Sequence, residues 1–304
     1  MRKQVVFMEV TAWMVADRIF QTIFPLLAIV LIGFIYARKR PTDMSVANKA
    51  NIDIFTPALI FSVMSTESFD LPSYYPLAFA AFVVILASGL LIWPLCRFIG
   101  VKPKTFLPPM MFSNSGNLGI PLIVLAFGES ALPAAVVLFL VENLLHFTLG
   151  LYILDHKTRL LNLLRMPMII ATLAGVAWSY SDMVLPAALR TFVDMLGQIA
   201  IPLMLFALGV RMTNIDFTHW KIGLWGAVLA PLSGLLVAAA LQPFLQLEPR
   251  HFAYLLLFAA LPPAVLNYMV SERYNQEPHL VAAIVLIGNV GSLLFIPIVL
   301  AFTL

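Results

Sequence analysis

The stretch SNSGNLGIP, residues 113–121, places glycines, polar side chains and a proline inside an apolar segment, 105–127, that is otherwise long enough to cross a membrane. Glycine costs about 1 kcal/mol in a helix interior, and proline removes a backbone donor. Unwound backbone at membrane depth is tolerated only where protein or a water-filled cavity satisfies its polar groups. We therefore predict an interrupted helix whose break faces the protein interior.

The composition around this stretch is that of a membrane protein. Of 304 residues, 62% are hydrophobic and only 11% are charged, against about 25% charged in soluble domains. We therefore predict an all-α polytopic membrane protein.

The net charge of +3 gives no indication of a nucleic-acid partner. Cys96 is the only cysteine, the five histidines are scattered, and no nucleophile–base spacing or phosphate loop is present. The sequence thus predicts neither a metal site nor an enzyme.

Apolar runs and loop charges give a topology. Residues 1–19 read as a tail or interfacial helix, and the short loop 155–165 as a cytoplasmic linker. Most Lys and Arg residues lie in loops after odd-numbered spans, so these loops are predicted to be cytoplasmic and both termini outside. The ten predicted spans lie near residues 20–37, 48–64, 75–97, 105–127, 131–154, 166–181, 187–210, 221–242, 252–270 and 279–303.

The two halves of the chain resemble each other weakly. DIFTPALIF at 53–61 aligns with QIAIPLMLF at 198–206, and nearly the same offset pairs Asn143 of span 5 with Asn289 of span 10. A unit of five spans is an odd number, so a second unit enters the membrane from the opposite side. This is the inverted-repeat design of secondary transporters. The predicted repeats are residues 20–154 and 166–304.

The same offset aligns the interruption of span 4 with a second interruption in span 9, AALPPAVLNYM at 259–269. Each break starts a half-helix with free N–H groups and a partial positive charge. Two such ends that converge make an anion site without a lysine or arginine. Since no Lys or Arg lies in the middle of any span, helix ends and amides are expected to bind a carboxylate-bearing substrate.

Four stretches of the chain carry a family resemblance. They are NIDIFTPALIFSVM at 51–64, FSNSGNLGIPL at 112–122, IAIPLMLFALGVRM at 199–212 and AALPPAVLNYMVSERY at 259–274. They resemble the auxin efflux carrier family of PIN-like transporters over nearly the whole chain. The resemblance implies ten helices in two inverted repeats, a scaffold of spans 1, 2, 6 and 7, and a transport part in which spans 4 and 9 are broken and cross. Bacterial members of that family are associated with dicarboxylates.

The resemblance also implies substrate-binding residues at the crossover. In span 4 these are Asn114, Gly116, Asn117, Gly119 and Pro121, and in span 9 they are Pro262, Pro263 and Asn267. The chain is similar, more distantly, to bile-acid:sodium symporters. It lacks the sodium-binding acid that those proteins carry near the span 9 crossover, because the acid of that region, Glu272, lies at the cytoplasmic end.

Glu142 is the one carboxylate near the centre of a predicted span. Asn143 follows it, and His146 lies one turn on, on the same face. An intramembrane ionisable residue is by default a functional hypothesis. We predict that Glu142, Asn143, His146 and the repeat partner Asn289 couple transport to a proton or to sodium. The alternative is a structural hydrogen bond from Glu142 to the broken backbone of span 4.

These observations together predict a secondary active carrier of a small organic anion, a carboxylate or dicarboxylate, that works by alternating access in the cytoplasmic membrane. One alternative is a sodium-coupled organic-anion symporter, and another is a non-transporting membrane receptor on the same scaffold. No cofactor is expected beyond the coupling ion. The partners are the anion and the lipid bilayer, and a homodimer remains open.

Overall fold

The structure is a computed structural model of the chain. It describes residues 2–66, 69–155, 165–181, 183–214 and 218–304, with side chains from Trp13 onward. Over these residues the chain is all-α, without a β-strand of its own. The helices are α1 (Arg2–Lys39), α2 (Ser45–Ala50), α3 (Thr56–Met64), α4 (Tyr75–Ile99), α5 (Pro103–Met111), α6 (Ile120–Phe127), α7 (Leu132–Leu145), α8 (Leu151–Leu154), α9 (Pro167–Ser179), α10 (Ala187–Arg211), α11 (Trp220–Leu245), α12 (Pro249–Ala259), α13 (Val265–Arg273) and α14 (Pro278–Thr303).

Six helical segments of the described chain are long and apolar enough to cross a membrane. The other predicted spans contain shorter or interrupted helices, so the count of ten and the inverted relation of the halves remain predictions. The six segments are Trp13–Lys39, Leu71–Ile99, Glu129–Leu154, Ala187–Arg211, Trp220–Leu245 and Pro278–Thr303.

Two predicted boundaries behave differently in the structure. Helix α1 runs without a break from Arg2 to Lys39, so the predicted tail, residues 1–19, continues directly into the first span. Its few charges do not stop the helix, because no glycine or proline precedes Pro25. Most of the predicted linker 155–165 lies outside the described residues.

One group of helices consists of α1, α3, α9 and α10. Helix α1 packs on α10, and α3 packs on both α9 and α10. The α1–α10 contact is very close, because a Cβ atom added at Gly209 would lie 1.9 Å from the carbonyl oxygen of Val30. A Cβ atom at Gly33 would likewise lie 2.3 Å from the carbonyl oxygen of Phe206. Small residues that allow such backbone approach are typical of helix packing in membranes.

A second group surrounds the interrupted helices. Helix α11 packs along α14 and α4, and α4 packs on α5 and α7. Helix α6 packs on α7 of this group and also on α1 of the first group. The helix that ends at Met111 and the one that ends at Ala259 thus have their breaks inside the protein, where neighbouring side chains can satisfy the freed backbone groups.

Both breaks are short extended segments. After α5, Phe112 is extended with φ −107° and ψ 107°, and before α13, Ala264 is extended with φ −64° and ψ 141°. The two segments pair as an isolated antiparallel bridge between Ser113 and Pro263. Pro263 has no N–H, so the helix from Pro249 cannot continue through it without losing a hydrogen bond.

Within the described ranges, three wide π turns interrupt helices, at Asn51–Phe55, Ser115–Gly119 and His146–Gly150. Pro57 follows the first π turn and lies four residues after Asp53. Pro121 follows the second and lies four residues after Asn117. A proline ring clashes with the carbonyl of the residue four positions before it, and a widened turn relieves that clash. Such turns frequently occur at functional sites.

Candidate functional site

The two breaks cross and are tied together by main-chain hydrogen bonds. The N–H of Asn114 donates to the carbonyl oxygen of Pro262 at 2.7 Å, and the N–H of Ala264 donates to that of Phe112 at 2.9 Å. Phe112 and Asn114 belong to the first half of the chain, whereas Pro262 and Ala264 belong to the second. The crossing therefore joins the halves through peptide groups.

Buried asparagine side chains complete this crossing. The side-chain amide of Asn267 donates to the carbonyl oxygen of Phe112 at 2.9 Å. The side-chain amide of Asn289, on α14, donates to the carbonyl oxygen of Pro263 at 3.1 Å and to that of Val285 at 2.8 Å. Both asparagines thus satisfy carbonyls that the breaks free from helical hydrogen bonding.

A cavity of about 150 Å³ opens beside the crossing, and we call it the central cavity. All three π turns contribute to its wall, through Asn51, Asn117 and His146 among others. Of the residues predicted from the sequence, the lining includes Asn114, Gly116, Asn117, Glu142, Asn143 and His146.

The other predicted residues lie in the frame of the crossing rather than in the cavity wall. They are Gly119, Pro121, Pro262, Pro263, Asn267 and Asn289. Gly119 packs so closely on the second break that an added Cβ atom would lie 2.7 Å from Cδ1 of Leu261. These residues therefore support the residues that line the cavity.

Asn117 differs from the buried asparagines of the crossing. It is half-buried and lines the cavity, and its side-chain amide makes no hydrogen bond with another described residue. The amides of Asn114 and Asn143 are instead engaged, with Asn289 at 3.0 Å and with the carbonyl oxygen of Phe139 at 3.0 Å. Asn117 is therefore the crossover amide most available to a solute.

The first residues of two helices also line this cavity. The helical segment Ser115–Phe127 and helix α13 both begin at the crossing. Gly116, Asn117, Val265 and Leu266 line the cavity, and their N–H groups have no backbone acceptor outside their own helices. First-turn N–H groups lack intrahelical partners, so two positively polarised helix ends meet at one wall.

An acidic group is buried at the same wall. Glu142 is 3% exposed, and its Oε2 atom accepts a hydrogen bond from the hydroxyl of Ser115, the first residue of the π turn at the break. His146 Nδ1 lies 3.4 Å from Glu142 Oε1, within ion-pair distance. That oxygen has no well-aligned donor among the described residues. The structural alternative for Glu142 is a hydrogen bond to the broken backbone of span 4. The hydrogen bond in the structure is instead with the side chain of Ser115, at the start of the π turn.

Sequence reasoning missed the contact of His146 with Phe112 and, among the lining residues, Asn51 and Ser113. The ring of His146 stacks on that of Phe112 with centroids 4.3 Å apart, which links the acidic group to the crossing. Asn51 and Ser113 line the cavity and each has a buried side-chain oxygen without a partner among the described residues. Polar residues inside apolar segments were the available signal for both.

Arg211 is a second omission. It lies in the last turn of α10 and lines the central cavity. It ends a helix, so it is not one of the mid-span Lys or Arg residues considered in the sequence analysis. Arg211 gives the cavity wall a basic side chain in addition to the helix ends and amides expected from the sequence.

Long apolar helices around two interrupted, crossing helices, with polar side chains in the wall of the cavity between them, are the features of a multi-pass membrane protein. The chain belongs to the membrane transport protein family, whose model matches residues 18–159 and 155–300. This match, which covers both halves of the chain, confirms the predicted resemblance. Family membership indicates a transporter rather than an enzyme, with a small-molecule substrate.

Two curated proteins are similar over most of their lengths. A protein of Rhizobium meliloti (strain 1021) named "Putative malonate transporter" is 25% identical over 300 residues, which cover 89% of this chain and 91% of that protein. The "Uncharacterized transporter MJ1031" of Methanocaldococcus jannaschii is 22% identical over 292 residues, which cover 89% of this chain and 94% of that protein.

Proposed function

We propose that the protein is a secondary active transporter of a small organic anion, a carboxylate or dicarboxylate, and that it works by alternating access. The observation that carries the proposal is the meeting of two helix N-termini and the unengaged amide of Asn117 at the wall of one cavity. Helix N-termini bind anions because their N–H groups and dipole both favour negative charge.

The size of the central cavity favours a small solute. Its volume is about 150 Å³, and a protein cavity of about this volume can accept a molecule the size of benzene. An anion with a few carbon atoms suits this space. The name of the Rhizobium relative, which specifies malonate, supports the same chemical class.

The moving part in this proposal is the group that contains the crossing, and the fixed part is the group of α1, α3, α9 and α10. The main-chain ties between the breaks make the crossing a unit that can shift without coming apart. Ten spans in two inverted repeats, 20–154 and 166–304, would place the cavity near mid-membrane. We place the protein in the cytoplasmic membrane, with both termini outside.

Glu142 is the proposed coupling residue. It is buried beside His146 and the first break, and a change in its charge or protonation would alter the field at the anion site. A proton is one coupling ion. Sodium is the second candidate, favoured by the buried Glu142 Oε1 and Ser113 Oγ atoms, which lack aligned partners among the described residues and are oxygen atoms of the kind that hard cations prefer.

The test is malonate counterflow into proteoliposomes that contain the purified protein. Asn117→Ala is expected to lower the initial rate at least about tenfold, as for loss of a hydrogen bond to a charged group, with little change in thermal stability. Gln198→Ala, which removes an exposed amide from α10, is the matched control and should transport normally. Malonate binding without flux would favour a receptor, and neither binding nor flux for any carboxylate would refute the proposal.

A further inference from the structure

Arg211 lies where the central cavity opens. A second cavity of about 570 Å³, which we call the vestibule, adjoins it and is lined by Asp43, Lys49 and Asp53 among others. Arg211 and Met269 line both cavities, and so do Asn48 and Ile52. These four residues therefore form the mouth between the vestibule and the central cavity.

The guanidinium group of Arg211 has no acidic partner among the described residues. Its one side-chain hydrogen bond within the described chain is with the sulfur of Met269, 3.5 Å from Nη1. Of the acids in the vestibule wall, Asp43 accepts two hydrogen bonds from Ser45, both at 2.8 Å, and Asp53 forms no ion pair with Arg211. Glu272 accepts a hydrogen bond from the Tyr268 hydroxyl at 3.1 Å.

A half-buried cation without an anionic partner is costly, because burial removes part of its hydration without replacement. A carboxylate ligand at the mouth would supply that partner. Arginine suits the role, since its planar fork binds a carboxylate through two parallel hydrogen bonds.

The central cavity thus has positive polarity at two places. One is the crossing, with the free N–H groups of Gly116, Asn117, Val265 and Leu266. The other is the mouth, with the fixed charge of Arg211. A solute with one carboxylate can satisfy only one of them, whereas a short dicarboxylate presents an anionic group to each.

We infer that Arg211 binds one carboxylate of a dicarboxylate whose other carboxylate binds at the crossing, and that Arg211 determines the preference for dicarboxylates over monocarboxylates. This inference rests on the proposed function and adds to it a residue and a basis for selectivity. The dianion is selected because it alone neutralises the mouth while it occupies the crossing.

The test measures malonate and acetate binding to the purified full-length protein by calorimetry and thermal shift. Wild type is expected to bind malonate at least about tenfold more tightly than acetate, as for one charge-assisted hydrogen bond. Arg211→Gln should weaken malonate binding by a similar factor and leave acetate binding within about threefold, so that the preference collapses. Arg211→Lys keeps the charge without the fork and should give an intermediate preference.

Arg97→Gln is the matched control, because Arg97 also lies in the last turn of a helix but is exposed and lines neither cavity. It should retain the wild-type preference. An unchanged malonate-to-acetate ratio in Arg211→Gln, or equal losses for both ligands, overturns the inference and leaves the proposed function standing. If Arg211→Gln does not fold, a wild-type ratio in Arg211→Lys overturns it. Wild type that binds no carboxylate at all overturns the proposed function and this inference with it.

Discussion

The side-chain amide of Asn114 donates a hydrogen bond to the side-chain oxygen of Asn289, with 3.0 Å between nitrogen and oxygen. The two asparagines lie in different halves of the chain, and the amide nitrogen of Asn289 donates in turn to the carbonyl oxygen of Pro263. Asn289 thus connects both breaks of the crossing to α14.

Asn289→Ala should therefore destabilise the protein. It leaves the buried Asn114 amide and the Pro263 carbonyl without these partners, at about 1–3 kcal/mol for each unsatisfied group. The expected result is a melting temperature several degrees below wild type in detergent. Leu294→Ala, at an exposed position of the same helix, is the control and should melt near wild type. A wild-type melting temperature for Asn289→Ala would mean that the crossing does not depend on this link.

Glu142→Gln should uncouple transport from its driving ion. Glutamine has the same shape and can still hydrogen bond with the Ser115 hydroxyl, so the fold is kept, but it carries no negative charge that a proton or a sodium ion could neutralise. Malonate counterflow should persist, while the stimulation of uptake by a proton or sodium gradient should disappear. Glu129→Gln, at an exposed position, is the control. Gradient stimulation of wild-type size in Glu142→Gln would exclude Glu142 as the coupling residue.

Gly209→Ala should weaken the contact between α1 and α10. The added methyl group would lie 1.9 Å from the carbonyl oxygen of Val30, so the helix backbones must separate. Overpacking of this kind costs about 1–3 kcal/mol. The measurement is thermal unfolding, with Gln198→Ala as the control on the same helix. Equal melting temperatures for the two variants would show that the helices are not packed at this distance.

The ion pair of Glu277 with Lys102 gives a pH-dependent prediction. Hydrogen bonds from the Thr105 hydroxyl and the Lys102 ammonium, with Nζ 2.9 Å from Oε1, lower the pKa of Glu277 below its usual value. A carboxylate whose pKa is lowered by folding stabilises the protein above its unfolded pKa, and this contribution is lost as the pH falls through the folded pKa.

Glu277→Gln should therefore lower the melting temperature at pH 7 by a small amount, since the pair is partly exposed. The difference from wild type should shrink once the pH falls below about 4.3, the ordinary pKa of glutamate. Melting curves of both proteins from pH 7 down to about 3 measure this difference in melting temperature. A difference that stays constant over this range would show that the carboxylate charge is not what Glu277 contributes.

The location of the crossing could be predicted from the sequence because its signals are local. Glycine, proline and asparagine inside apolar segments mark a break wherever they occur, and SNSGNLGIP and ALPPAVLN do so in both halves. Glu142 was recognisable for the same reason, as a charge within an apolar run.

The mouth of the cavity could not be predicted in this way. Arg211 is one of many basic residues at a helix end, and only the tertiary arrangement that brings the end of α10 beside Met269 distinguishes it from the others. The stacking of His146 on Phe112 likewise depends on how α7 packs against the break. Periodicity and composition carry no information on such long-range placements.

Peptide groups, rather than side chains, make the ties between Phe112 and Ala264 and between Asn114 and Pro262. Replacing a side chain leaves a peptide carbonyl in place, and it removes the N–H only when the new residue is proline. During divergence the backbone of the crossing can therefore be inherited unchanged while residues of the mouth, such as Arg211, are exchanged. Relatives with this same architecture could acquire new ligand preferences by few substitutions, without rebuilding the crossing.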